Sequence, residues 1–324
     1  MHLAVRAFLA AGLLAAAGLG VGQAAPNGAS TIPAAQAAGA VPDVAGVSAT
    51  LVGDETEYTV RAGDSLALIG ARFGVAPRLV AAANGLRASD VLKPDTVLRI
   101  DHRHIVPAGA PDGILINIPQ RFLFHVVDGQ VRAAYPVALG RPDWRTPTGA
   151  FTVANKQQDK PWIVPKSIQE EMRREGKPVL TRVEPGPENP LGRHWIGLSL
   201  DSLGIHGTIA PTSIYGLRSH GCIRLHPDDV AELFDRVEVG TPGALIYQPA
   251  LLAALPDGRV FVEVNPDAYR RGPEPLAHLK SLADRAGLSD RIDWGKVAAA
   301  VRDREGVARE VGAAAPPANG AKAP

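Results

Sequence analysis

A single cysteine stands in the 324 residues, and the residue types around it are those of a reaction rather than of a core. Cys222 follows Ser219, His220 and Gly221, and His206 lies sixteen positions upstream, all within the stretch Ile205 to Leu225. An excursion of that length can return an imidazole to a thiol, which is the minimum equipment for thiol catalysis. A free thiol titrates near ~8.5, and a neighbouring imidazolium or a positive niche lowers that toward the thiolate that attacks carbonyls. Gly221 keeps a side chain out of the substrate's path. Consecutive N–H groups near Gly221 and Cys222 can cradle an oxyanion, each donor worth roughly 3 to 4 kcal/mol in comparable hydrolases. Arg224 adds a fixed positive charge suited to a substrate carboxylate or to the thiolate itself. Set against this, a lone cysteine is most often a small buried hydrophobe. His206, His220, Cys222 and His226 are zinc-ligand types, yet their spacing matches neither paired structural ligands nor a helical His-x-x-x-His, so no metal or other cofactor is expected.

The text H-G-T, P-T-S-I and S-H-G-C-I-R-L resembles the signature of the YkuD-type L,D-transpeptidases of bacterial cell walls. The resemblance implies that Cys222 is the nucleophile and His206 its proton donor and acceptor, with Gly207, Ser219, His220, Gly221 and Arg224 in support. His220 is the alternative base. Tyr215 departs from the many members that run straight from Ile to Gly, and is expected to alter the rim of the loop.

The elements that must position these groups begin after an export signal. His2 and Arg6, an apolar run from Ala7 to Val21, and small residues near Ala24 read as a signal peptide over 1–25. The run is shorter than the ~20 residues that span a bilayer. The expected location is the periplasm or cell wall, where one unpaired cysteine is no internal staple. A flexible linker rich in Ala, Gly and Pro is expected over 26–55. Lys+Arg 34 against Asp+Glu 33 gives a formal net charge of +1, so nothing in the charge balance points to nucleic acid.

Residues 56–101 read as two helices between two short strands. Asp64 or Ser65 caps a helix with Leu66, Ile69 and Phe73 on one face, closed by Gly74. Pro77 opens a second helix with Leu79, Val80 and Ala83 inward, closed by Asn84 and Gly85. This resembles a LysM domain, which implies a βααβ fold and binding of N-acetylglucosamine-containing glycan, with Asp64, Ser65, Leu66, Asn84 and Gly85 as candidate contacts. Asp95 stands where that family usually has Gly. Asp101 to His104 reads as a solvated hinge.

The catalytic domain is expected over 112–248. Ile114, Ile116 and Ile118 mark a strand, and Asp128-Gly129 turns a hairpin between Phe122–Val127 and Val131–Leu139. The loop Thr146 to Gly149 leads into a strand, and Ser167 to Glu170 reads as a capping box opening a helix that Gly176 stops. The N-P-L-G text ending at Gly192 is expected to form a substrate-facing loop. A helix from Pro227 aligns Val230, Leu233, Phe234 and Val237. The class is mostly β with helices: a YkuD-type, β-sandwich-like catalytic domain with the cysteine loop at a sheet edge, beside the LysM domain. A C-terminal α/β extension over 256–312 resembles that of the ErfK/YbiS/YcfS/YnhG branch, and 313–324 is expected to be disordered.

The resemblance implies a donor tetrapeptide stem of peptidoglycan, and an acceptor amine from another stem or from a lysine of an outer-membrane lipoprotein. Two alternatives stand beside it: an L,D-carboxypeptidase or endopeptidase using water at the same site, and a LysM wall-binding protein without activity.

Overall fold

A computed structural model describes residues 46–312. The signal peptide, most of the linker and the C-terminal tail lie outside the described residues. Among the described residues no single helix is long and apolar enough to cross a membrane.

The catalytic domain is built on one eight-stranded mixed sheet. From one edge its strands are Ile223–Arg224, Gly204–His206, His194–Leu198, Gly149–Gln158, Pro242–Ile246, Gly113–Asn117, Phe122–Val127 and Gln130–Pro136. The sandwich-like form comes from bending this sheet upon itself. Gly149–Gln158 pairs with Pro242–Ile246 through its first half and with His194–Leu198 through its second, with an irregularity between Val153 and Asn155. Ile114, Ile116, Phe151, Ile196, Ile205 and Leu245 face inward, and the helix Pro227–Arg236 closes the core with Val230, Leu233 and Val237. The Asp128-Gly129 hairpin forms with both residues at positive φ, 54° and 68°, the conformation whose twist matches the strands. The cysteine loop lies at the sheet edge, immediately before the edge strand Ile223–Arg224.

The LysM domain has the expected βααβ order: Glu55–Thr59, Leu66–Phe73, Pro77–Ala83 and Val97–Asp101. Ser65 caps the first helix by accepting from Leu68 N, and Gly74 ends it at φ 69°. In the second helix Ala81 rather than Ala83 is buried with Val80, because the helix is only two turns long and its last residue turns outward. Asp95 adopts φ 67°, so it keeps the left-handed turn where glycine is usual.

Three further expectations fail. The linker does not stay irregular to its end: Val47–Ser48 joins the C-terminal sheet parallel to Ala250–Ala254, and Leu51–Val52 pairs with His104–Ile105. The hinge is not solvated. His104 is fully buried against Glu263, whose carboxylate also accepts from Ile105 N at 2.7 Å and from Gln120 Nε2 at 3.0 Å. The helix Lys166–Arg174 starts before Ser167, with Pro165 at the cap and no side-chain cap, so Ser167 makes no capping box.

The C-terminal extension is a hairpin, Ala250–Ala254 and Val260–Val264, covered by the helices Pro275–Arg285 and Trp294–Asp303. Its last residues also meet the LysM domain. Val307 enters the LysM core, and Arg309 Nη1 pairs with Asp101 Oδ2 at 2.6 Å.

Candidate active site

The loop that bears Cys222 is fixed by its own backbone and by a neighbouring loop. Ser219 Oγ donates to Cys222 O at 2.5 Å and accepts from Gly221 N at 3.2 Å, so the Ser-His-Gly-Cys turn is tied internally. Gly221 sits at φ 108°, a conformation that L side chains rarely adopt. A Cβ there would come no nearer than 3.6 Å to a neighbour, so the backbone, not crowding, demands the glycine.

The loop 139–146 holds the turn from outside. Leu217–Ser219 pairs with Leu139–Gly140, and Arg141 N donates to Ser219 O at 3.0 Å. Buried Thr146 donates from Oγ1 to Gly221 O at 2.7 Å and accepts from Gly140 N at 2.9 Å. Tyr269, reached from the segment after the sheet, in turn donates to Gly140 O at 2.6 Å and accepts from Thr146 N at 3.2 Å. Most of these polar groups are buried, and all are partnered, which is what low-dielectric packing requires.

His206 reaches this turn through strand register. Ile205 pairs with Ile223 and His206 with Arg224 in a parallel ladder, so Cys222, just before its strand, falls in register with Gly204, two positions along from His206 on the adjacent strand. His206 is buried and stacks on Trp195 at 5.8 Å between ring centroids. Its Nδ1 lies 2.7 Å from Gly207 O. A carbonyl only accepts, so Nδ1 carries the proton and Nε2 keeps its lone pair. Burial, followed by the nearby charge of Arg224, pulls the imidazole down to about 3.

Cys222 is partly exposed, and its Sγ approaches Ser202 O at 3.8 Å. Burial pushes its thiol above the ordinary value, opposed more weakly by the Gly204 N–H and the Arg224 guanidinium. The rest state is therefore a neutral thiol and a neutral imidazole. Arg224 itself is half-buried, with its Nε unpartnered, close enough to Cys222 for each to raise the charge of the other.

The expected oxyanion donors are not equivalent. The Gly221 amide is already given to Ser219 Oγ, whereas among the described residues the Cys222 amide donates to no protein acceptor. His220 does not stand free beside the thiol: its Nε2 pairs with Glu171 of the helix Lys166–Arg174, and Trp144 meets its ring edge-on at 4.9 Å. His226 caps the helix Pro227–Arg236 by accepting from Asp228 N.

The N-P-L-G loop does lie beside the site. Asn189 is fully buried and binds Lys160 O and Leu191 N, which seats Gly192 against Gly207. A Cβ on Gly192 would stand 3.2 Å from Gly207 Cα, and Gly192 has φ 66°. Tyr215 is no rim residue: it is buried, donates to Gly306 O at 3.0 Å, and lies under the Arg121 guanidinium at 4.0 Å. Just before it, Ile214 packs with Ala138 and with Ala71 of the LysM domain.

The candidate glycan contacts are all employed within their own module. Asp64 accepts from Tyr58 Oη and Arg61 N, Ser65 caps, Leu66 is buried, and Asn84 exchanges bonds with the backbone of Arg99. Gly85 is an exposed turn at φ 65°.

Thr146, Tyr269, Glu171 and Arg141 went unremarked as parts of the site. Only Thr146 carried a signal, its place in the Thr-Pro-Thr-Gly loop.

A sequence profile of the L,D-transpeptidase catalytic domain (YkuD) matches residues 111–245, and one of the LysM domain matches 58–101. The Salmonella typhimurium protein named "Probable L,D-transpeptidase ErfK/SrfK" is 34% identical over 190 residues, 57% of this chain and 61% of that protein. The Escherichia coli protein named "Probable L,D-transpeptidase YbiS" is 33% identical over 226 residues, 66% of this chain and 72% of its own length. The solved L,D-transpeptidase from Mycobacterium smegmatis is 24% identical, covers 64% of this chain and 96% of its own, and superposes with a TM-score of 0.33.

Proposed function

The chain belongs to the L,D-transpeptidase family of peptidoglycan enzymes, and from that premise we propose that Cys222 is its nucleophile and His206 the residue that moves the proton. The observation that supports this reading is the parallel pairing of His206 with Arg224, which sets a neutral imidazole, protonated on Nδ1, on the strand beside Cys222 and two positions along from it.

The donor is the tetrapeptide stem. Nε2 of His206 takes the thiol proton as Sγ of Cys222 attacks the carbonyl carbon of the third residue. The oxyanion so formed is met by the unengaged Cys222 amide. His206 then returns its proton to the departing amine, terminal D-Ala leaves, and a thioester remains on Cys222. An acceptor amine attacks that thioester, the new amide forms, and the thiol is restored. An amine of a second stem gives a 3-3 cross-link; a lysine of an outer-membrane lipoprotein gives attachment to the wall. The LysM domain holds the glycan strand, and the protein works outside the cytoplasm.

Arg224 has a definite place in this scheme. Its charge favours thiolate over thiol at Cys222 but disfavours the imidazolium at His206, so it aids loss of the thiol proton and opposes its retention by His206, which speeds return of that proton to the leaving amine.

The test is intact-protein mass spectrometry with a purified disaccharide-tetrapeptide, with and without acceptor. A Cys222-dependent adduct, D-Ala release and conversion to a dimer are expected. Tripeptide release without any dimer would make the protein a hydrolase. No adduct and no D-Ala would overturn the catalytic reading in favour of a wall-binding protein.

A further inference from the structure

The segment 159–193 leaves the sheet and touches the nucleophile loop from both flanks. On one flank Glu171 Oε1 accepts from Arg141 Nη2 at 2.8 Å, while Oε2 pairs with His220 Nε2. Both partners belong to the framework of the turn: His220 stands two residues before Cys222, and Arg141 N donates to Ser219 O. On the other flank Gly192 lies against Gly207, and the Leu191 carbonyl faces His206. The insert therefore runs from one side of Cys222 to the other.

Little else holds the first flank. The helix Lys166–Arg174 has no buried side chain, and Ile163, Val179 and Leu180 are exposed. With Ile168, Gln169, Glu171 and Met172 only half-buried, a nine-residue helix draws little stability from packing. Such a segment opens at low free energy unless a specific contact ties it down. Glu171 provides that contact, as a carboxylate shared by two cationic-type donors.

We propose that Glu171 is a positioning residue for the thiol reaction, closing the insert across Cys222 and fixing the His220 ring as part of the wall. The proposal rests on the reading of Cys222 as nucleophile. With Nε2 committed to Glu171 and its ring edge-on to Trp144, His220 has one orientation. The donor stem enters while the insert is open, and closure on Glu171 restores an ordered wall around the scissile carbonyl. Loss of Glu171 therefore exposes the thiol while making it a poorer catalyst.

Cys222 is the only thiol of the full chain, so alkylation by iodoacetamide, followed by intact mass, reports it alone. Glu171→Ala is expected to speed alkylation roughly 5- to 30-fold, the factor that one or two kcal/mol of lost closure gives. Trypsin should then cut after Arg173 or Arg174 at protease levels that leave the wild type intact. In the same variant kcat/KM for the tetrapeptide donor should fall roughly 10- to 100-fold, mainly in kcat. Glu171→Gln retains one carbonyl acceptor and should lie between. Glu170→Ala, on the exposed neighbour, should match the wild type. Opposite signs for alkylation and turnover at an unchanged Tm separate this role from general loosening of the fold. An unchanged alkylation rate and trypsin pattern in Glu171→Ala overturns the proposal. A wild-type kcat/KM beside faster alkylation overturns it equally. If the transpeptidase reading itself is wrong, the wild type releases no D-Ala, while alkylation and proteolysis still report on Glu171.

Discussion

The Ser219–Cys222 turn and the insert that borders it are held by opposite means. Around Ser219 to Cys222 the hydrogen bonds are short, mostly buried and interlocked: Ser219 to Cys222, Thr146 to Gly221, and Tyr269 to both Gly140 and Thr146. Across 159–193 the fixed points are fewer: Asn189 near one end, Glu171 on a helix with no fully buried residue, and the two-residue pairing of Trp162–Ile163 with Arg182–Val183. The difference teaches a division of labour. The turn must present a thiol and an amide to within tenths of an ångström, so its polar groups are overdetermined. The insert is attached by polar, local contacts, which suits the opening proposed for it.

Five perturbations break or sharpen this contrast. The largest effect is expected from Cys222→Ala, which should abolish the acyl adduct and D-Ala release while leaving circular dichroism and Tm near wild type. Next is Gly221→Ala. Space for the methyl exists, but φ 108° does not suit it. The strain, of order 1–3 kcal/mol, should lower the acylation rate by about 10- to 100-fold, read by burst kinetics. Thr146→Val removes a donor and an acceptor at one buried point, and urea denaturation should show a loss of about 1–3 kcal/mol.

A fourth perturbation is acid. In the unfolded chain His206 takes a proton near ~6.5, whereas folded His206 does so only at about 3. The unfolded state then binds more protons, so this residue lowers stability as pH falls through that window, by up to about 1.4 kcal/mol per pH unit. Urea titrations at pH 7 and pH 5 should show a smaller drop for His206→Gln than for the wild type. The smallest effect belongs to the insert: Leu180→Ser, at an exposed position, should change stability by no more than about 0.5 kcal/mol. A loss as large as that of Thr146→Val would erase the contrast between the two regions.

Much of this was legible without coordinates wherever the signal was local. Asp128-Gly129 gives a hairpin because those two residues accept positive φ in succession, and Ser65 and Gly74 bound a helix because one supplies a cap and the other a left-handed exit. The Ser167 capping box shows how such reading fails. The text fits, but the preceding Pro165 already sets the chain for the helix, which begins one residue before Ser167.

The sequence by itself offered the chemistry: one thiol, a histidine sixteen residues before it, and a glycine beside the thiol. These follow from residue type and short spacing, because bond geometry and backbone sterics act within a few residues. Only the tertiary structure decided what surrounds them. Thr146 meets Gly221 across 75 residues, Glu171 meets His220 across 49, Tyr215 meets Gly306 across 91, and Glu263 lies against His104 across 159. Each is a buried or half-buried polar group whose partner is chosen by the packing of distant strands. A polar side chain signals in sequence that it needs a partner; which partner it finds depends on the fold that removes both from water.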